Sequence, residues 1–147
     1  MPTLEKEFIF ALHDVARLFK TYADQRVSAL RMTRSQWAVL SRLERREGVS
    51  QAELAQALDI APISLARLVD KLADQGLVER RADDNDRRIH RLYLTPAVAP
   101  VLKRLAALSR DVMGVALAGV EPNEVAEMTG RLSRIKANLK AALSEAV

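Results

Sequence analysis

The sequence predicts a mainly α-helical protein that contains one small β-hairpin. Apolar residues recur every three or four positions near both ends of the chain, and one stretch, Gly76–Thr95, sets short apolar runs around a charged turn. A length of 147 residues suits one domain with its own core. We therefore expect a single domain over residues 1–147, with a compact centre between two long helices.

The composition is that of a folded protein and excludes several kinds of site. Hydrophobic residues make up 49% of the chain, and the net charge of +4 permits a polyanionic partner without requiring one. The absence of Cys excludes disulfides, thiolate metal sites and cysteine nucleophiles. No apolar run reaches the roughly 18 residues of a membrane span, and no signal-peptide pattern opens the chain. We expect a cytoplasmic protein without membrane association.

Each end of the chain is predicted to form a long amphipathic helix. The first spans about residues 4–23, and its apolar stripe consists of Phe8, Leu12, Val15, Phe19 and Tyr22. The last begins at Pro122, and its stripe consists of Val125, Met128, Leu132, Ile135, Leu139 and Leu143. Both stripes require an apolar partner.

Capping signals predict two shorter helices between them. TRSQ, from Thr33, and SQAE, from Ser50, fit the capping box, in which a hydroxyl accepts from the backbone three residues on and that residue reaches back. The helices therefore begin at about Arg34 and Gln51. A turn at Asp59–Ile60 ends the second.

A third central helix is predicted from about Pro62 to Gln75. Proline suits a first helical turn, and Gly76 can supply a left-handed stop. Its buried side contains Leu65, Leu68, Val69 and Leu72. Its outward side contains Ile63, Ser64, Arg67 and Lys71.

Two strands, Leu77–Arg81 and Ile89–Leu94, are predicted to follow as a hairpin. Ile89, Leu92 and Leu94 largely keep the alternation of a half-buried strand, and Asp83–Asp86 forms a turn-rich tip. Thr95–Pro96 then opens a helix that runs to about Ala118.

This order of helix, turn, helix and hairpin, over about residues 34–95, is that of a winged helix-turn-helix. In such modules the second helix enters the DNA major groove. Ser64 and Arg67 lie side by side there, an Arg fork can pair with a guanine edge, and Lys71 can contact phosphate. Arg87 or Arg88 at the hairpin tip suits the minor groove. The alternative is that these are ordinary surface residues and that the hairpin arginines only neutralise Asp83, Asp84 and Asp86.

One long stretch of the sequence also carries a family resemblance. Residues 50–97 read SQAELAQALDIAPISLARLVDKLADQGLVERRADDNDRRIHRLYLTPA. Two segments of this stretch are the most specific: SLARLVDKLADQGLVER, and DNDRR before a strand that ends in LT. The stretch resembles the winged-helix core of the MarR family of bacterial transcription regulators, its SlyA branch in particular. The resemblance continues through MTRSQWAVLSRL and VARLFKTYADQR. It implies a homodimer, in which helices of about residues 4–30 and 96–146 interlock, bound to pseudo-palindromic double-stranded DNA.

The resemblance also implies roles for particular residues. Four residues of the recognition helix match positions at the bases: Pro62, Ile63, Ser64 and Arg67. In the wing, Arg88 matches the arginine that enters the minor groove and Asp86 the acid that braces the wing. Arg87 is left with a phosphate contact or none.

A small aromatic carboxylate or phenol is the effector that the resemblance implies. Arg17 and Trp37 match positions that line the effector pocket, where a guanidinium can pair with a carboxylate and an indole can stack on a ring. The alternative is that Trp37 is a core residue and Arg17 a solvated partner of Asp14. The sequence also departs from the family after LT, where PAVAP replaces a common Gly and can shift the start of the next helix.

No cofactor, metal site or catalytic residue is expected. The chain has no Gly-rich phosphate loop, and its only histidines, His13 and His90, lie far apart in sequence. The expected function is a homodimeric repressor released by an aromatic anion. A winged-helix module that binds protein is the alternative, because Arg67–Arg91 contains seven basic residues against six acids.

Overall fold

The computed structural model describes residue 1 and residues 3–145 of the chain. Within them the chain forms six α-helices and a two-stranded antiparallel sheet. The elements are α1 (Leu4–Ser28), α2 (Arg34–Arg45), α3 (Gln51–Leu58), α4 (Pro62–Asp74), β1 (Val78–Ala82), β2 (His90–Leu94), α5 (Ala99–Ala116) and α6 (Pro122–Glu145). The predicted fold class is confirmed. The chain divides into two compact units, Met1–Val112 and the part from Met113 onward; the predicted helix end at residue 146 lies outside the described residues.

The central helices begin where their capping signals predicted. The Thr33 hydroxyl accepts from the backbone N–H of Gln36, whose side chain accepts from the N–H of Thr33, so this capping box is complete. At Ser50 the structure shows one of the two hydrogen bonds of a capping box: the Ser50 hydroxyl accepts from the backbone N–H of Glu53. The turn after α3 is closed by Asp59 in the left-handed conformation, with φ 53°.

The core of the first unit lies among α2, α3, α4, the hairpin and the C-terminal end of α1. Its fully buried side chains include Val27, Leu40, Leu43, Leu65, Val69, Leu72 and Leu92. The predicted faces of α4 are therefore correct, except that Leu68 is only partly buried. Burial of Ala23 and Val27 also explains why α1 runs five residues past the end at about residue 23 that its apolar stripe predicted.

The hairpin aligns Val78 with Leu94 and Ala82 with His90. A bridge between Ser50 and Arg91 adds the residue before α3 to the sheet edge. Ile89 was predicted to start the second strand, but it precedes β2 and is 37% exposed. Its carbonyl accepts from the backbone N–H of Asp83, so it closes the base of the tip.

The helix after the hairpin begins later than predicted. Pro96–Val98 forms a 3₁₀ turn and α5 begins at Ala99. Pro100 explains the shift, because its ring nitrogen has no N–H for the carbonyl of Pro96 and its ring crowds that carbonyl. The carbonyl of Pro96 accepts from the backbone N–H of Ala99 instead, which closes the 3₁₀ turn.

The terminal helices expose apolar side chains. On α1 these include Leu4, Phe8, Leu12, Val15 and Phe19; on α6 they include Met128, Leu132, Leu139 and Leu143. None of the described residues of α6 is fully buried. None of the described helices combines the length and apolar character that crossing a lipid bilayer requires.

Candidate nucleic-acid interface

The outward face of α4 presents the side chains that the sequence singled out. Pro62, Ile63, Ser64, Arg67 and Lys71 are all exposed. The opposite face anchors the helix, because Leu65, Val69 and Leu72 are fully buried. A hydroxyl, a guanidinium and an ammonium group therefore project from a rigid support, an arrangement that can contact base edges and phosphates.

The hairpin tip holds Arg88 against Asp86. One Asp86 carboxylate oxygen accepts from the backbone N–H of Arg88 at 3.0 Å and from its Nε at 3.1 Å, and the other accepts from Nη2 at 3.1 Å. The Arg88 guanidinium lowers the pKa of Asp86. The Arg88 side chain is nevertheless 91% exposed, and Arg87 beside it is exposed too. Asp86 thus orients an arginine without removing it from solvent.

Asp83 organises the tip, and the sequence reasoning had treated it only as a charge to be neutralised. Its carboxylate accepts from the N–H groups of Asn85 and Asp86, at 3.0 and 3.2 Å, and from Nε of Arg91 at 2.6 Å. Arg91 also donates to the Gly48 carbonyl at 2.9 Å, so the tip is tied to the connection before α3. The guanidinium of Arg91 holds the pKa of Asp83 below its ordinary value. The role of Asp83 could have been predicted from an Asp followed by turn residues, since an Asp side chain in a turn often accepts from the backbone N–H groups two or three residues later.

The arginine pair at positions 80 and 81 does not reach the hairpin tip. Arg80 turns towards the helices, where Nη2 lies 2.7 Å from the Asp70 carboxylate. Arg81 bonds to Glu79 at 2.6 Å and lies over the Tyr93 ring at 3.9 Å. These two arginines therefore pair with acids outside the tip, whereas Arg88 pairs with Asp86 within it.

Comparisons with known proteins agree with this architecture. Residues 32–90 match the sequence profile of the MarR family. The transcriptional regulator PA3341 is 36% identical to this chain, with 91% of this chain and 98% of that protein covered and a TM-score of 0.82. The chain belongs to the MarR family.

Other MarR-family structures share the same fold. A MarR regulator from Methanosarcina mazei Go1 is 28% identical, with 92% of this chain and 99% of that chain covered and a TM-score of 0.80. A MarR variant from E. coli, solved in complex with operator DNA, is 25% identical, with 90% and 98% covered and a TM-score of 0.74. The family consists of transcription regulators, so this MarR protein is a regulator and not an enzyme.

The two predicted effector residues of this MarR protein occupy different surroundings. Arg17 is exposed on α1 and pairs with Asp14 at 3.4 Å. It lines a shallow depression of about 440 Å³ formed by α1 alone. Trp37 is half-buried against the core. These surroundings agree with the alternative in which Arg17 is a solvated partner of Asp14 and Trp37 packs on the core. The effector site stays a prediction.

The wing of this MarR protein is expected to keep its order near neutral pH and lose it only in acid. The pKa values of Asp83 and Asp86 lie below the ordinary value, through their bonds to Arg91 and Arg88. Their contribution is complete above the ordinary Asp pKa of about 3.9 and is lost as the pH falls through the lower folded values. Amide NMR shifts of residues 83–88, followed from about pH 7 to about pH 2, should move only at the acid end.

Substitution of a single acid gives the matched comparison. Asp83→Asn should loosen the tip already at neutral pH, because the amide retains an acceptor but loses the ion pair with Arg91. Asp84→Asn, at the same tip, should leave the shifts of the neighbouring residues nearly unchanged. In the wild type, movement of the wing resonances already near neutral pH would contradict the role given to these carboxylates.

Proposed function

We propose that this protein is a sequence-specific, DNA-binding repressor that acts as a homodimer on a pseudo-palindromic operator in the cytoplasm. The observation that carries the proposal is the reading head, defined as the exposed face of α4 together with the wing tip at Asp86–Arg88. Its polar side chains are exposed on α4, and Arg88 is oriented by Asp86. The similarity to a MarR variant crystallised with operator DNA supports it.

The reading head suggests a division of labour on DNA. Ser64 and Arg67 read base edges in the major groove, and Pro62 and Ile63 supply apolar contacts where α4 meets the bases. Lys71 neutralises a phosphate. The recognition helix thus supplies most of the sequence information.

The wing supplies the second contact. Arg88 enters the minor groove, where a narrow A·T-rich segment concentrates negative potential. Asp86 braces it through the bonds described above. Arg87 lies beside it and is exposed, and it contacts an adjoining phosphate or none.

Homodimer formation is supported by the exposed apolar residues of the terminal helices. A second copy of the chain would cover the stripe of Phe8, Leu12, Val15 and Phe19 and the stripe of α6. Because a twofold dimer carries two identical reading heads, it matches a DNA site with two inverted halves.

We further propose that the protein belongs to the SlyA-like branch and responds to a small aromatic carboxylate or phenol at Arg17 and Trp37. The effector would favour a dimer whose recognition helices are wrongly spaced for DNA. Such a population shift requires that the effector binds the two states with different affinities. Titration of a benzoate-type anion, followed by Trp37 fluorescence and by operator release, tests this part separately.

DNA selection from a random library is the experiment that tests the main proposal. We expect an enriched inverted repeat with half-site centres about one helical turn apart. Affinity for that site should fall steeply with salt through counterion release, which a protein-binding module would not require. Failure to enrich any sequence at low salt would overturn the proposal.

Arg67→Ala and Arg88→Ala should have distinguishable effects. Loss of Arg67 is expected to cost about 1–3 kcal/mol at the cognate site and to relax preference at the base it contacts. Loss of Arg88 should weaken binding and reduce preference mainly at A·T-rich positions. Binding isotherms on the selected site and on single-base variants measure both effects. Identical profiles for the two variants would contradict the assigned roles.

A further inference from the structure

The guanidinium of Arg80 is held at three points between the hairpin and the helix-turn-helix. Its Nε donates to the Gln51 side chain on α3 at 2.9 Å, and its Nη2 donates to the Ala66 carbonyl on α4 at 3.1 Å. The same Nη2 lies 2.7 Å from an Asp70 carboxylate oxygen. The Arg80 side chain is only 26% exposed. Two neutral acceptors therefore fix a cation beside Asp70.

Asp70 is also a natural partner for Arg67. Residues three apart on a helix are surface neighbours, and opposite charges at that spacing attract each other. The chain uses this spacing on α1 with the acid first, where Arg17 pairs with Asp14 at 3.4 Å. Yet among the described residues Arg67 has no ion pair, while Asp70 is paired with Arg80. The carboxylate nearest to the base-reading arginine in sequence is thus engaged elsewhere.

We infer that Arg80 is a specificity-determining positioning residue that sequesters Asp70 and so keeps the Arg67 guanidinium available for a base. Asp70 pairs with Arg80 and not with Arg67 because the Arg80 guanidinium is largely buried and already oriented. A pair between Asp70 and the exposed Arg67 would be weakened by solvent and would cost side-chain freedom. The effect on base recognition rests on the proposed function, whereas the exchange of Asp70 between Arg80 and Arg67 does not.

The exchange can be measured without DNA. In Arg80→Gln, Asp70 is released, and the side-chain Nε–H of Arg67 is expected to shift and to exchange more slowly with water in NMR spectra. In the double variant Arg80→Gln/Asp70→Asn the Arg67 signal should return to its wild-type position. An Arg67 signal that is identical in the wild type and in Arg80→Gln overturns the inference.

The DNA measurement tests what the exchange does for recognition. Discrimination between the selected site and a site changed at the base read by Arg67 should fall about twofold in Arg80→Gln, towards the value for Arg67→Ala, because an exposed pair at this spacing competes only weakly with the base. Asp70→Asn in that background should restore it to the wild-type value, since the competing carboxylate is gone. A purely structural role of Arg80 predicts no such restoration.

Asp74→Asn is the matched control, because it removes the same charge one turn further along α4. In the Arg80→Gln background it should raise general affinity through weaker repulsion of DNA but leave discrimination low. Equal restoration by Asp70→Asn and Asp74→Asn, or restoration by neither, overturns the inference. If the wild type itself fails to discriminate between sites, the proposed function fails, and the NMR comparison still decides the exchange.

A second variant covers the case in which Arg80→Gln does not fold, as judged by thermal melting. Gln51→Ala removes one of the two neutral anchors and retains the charge of Arg80. The Arg67 side-chain signal is then expected to move part of the way, in the direction of a paired guanidinium. No movement in this variant counts against the inference.

Discussion

Phe8→Glu is expected to convert the proposed homodimer to a monomer. Phe8 lies on the apolar stripe of α1 and is 44% exposed in the single chain, so the proposed dimer would bury it against the second copy. Burial of a Phe side chain contributes about 1.5–3 kcal/mol, and a twofold interface contains two copies. Burial of an unpaired carboxylate adds a further cost. We expect the dimer dissociation constant to rise by roughly a hundredfold to ten-thousandfold, measured by analytical ultracentrifugation.

Phe10→Glu provides the control for the face of the helix. Phe10 is 63% exposed and lies two residues along, on the opposite side of α1 from the stripe. The same chemical change there should leave the dissociation constant nearly unchanged. The monomeric Phe8 variant should also lose operator binding while keeping weak, salt-sensitive affinity for any DNA. Equal dissociation by the two variants would contradict the assignment of the stripe to the dimer interface.

Leu65→Ala is expected to have the second-largest effect, on folding stability. Leu65 is fully buried on the inner face of α4, directly between Ser64 and the Ala66 carbonyl that Arg80 binds. Truncation of a buried Leu costs about 2–5 kcal/mol of unfolding free energy. For a chain of this size that corresponds to a melting temperature lowered by roughly 5–15 °C, measured at fixed protein concentration.

Leu68→Ala on the same helix provides the comparison. Leu68 is only partly buried against the core, so its truncation exposes less new cavity surface and should cost clearly less than that of Leu65. Calorimetry on both variants measures the difference. Equal costs would indicate that the inner face of α4 is not centred on Leu65.

The parts of the fold that depend on nearby residues could be predicted from the sequence. The capping box at Thr33 and the proline at position 62 define helix starts through contacts within one turn. The two faces of α4 follow from a spacing of three and four residues. Exposure of Ser64, Arg67 and Lys71 therefore needed no knowledge of the tertiary structure.

The contacts that were missed join residues far apart in sequence. Arg80 binds Gln51 and Ala66, which are 29 and 14 positions away, and Arg91 binds the carbonyl of Gly48, 43 positions away. Charge spacing along the chain cannot reveal such partners, because long side chains choose among every acceptor that folding brings near. The late start of α5, in contrast, depends on nearby residues. Pro100 has no N–H for the carbonyl of Pro96, so the shift of the helix start follows from the sequence alone.

The separation of the two faces of α4 has a consequence for how such a regulator changes over time. Its buried residues carry stability, whereas Ser64, Arg67 and Lys71 project into solvent from the opposite side. Substitutions at these three positions should therefore be nearly neutral for folding and, under the proposed function, would still alter which operator is read. A duplicated copy could acquire a new target site without first acquiring compensating mutations, and a library randomised at these three positions should consist mostly of folded proteins.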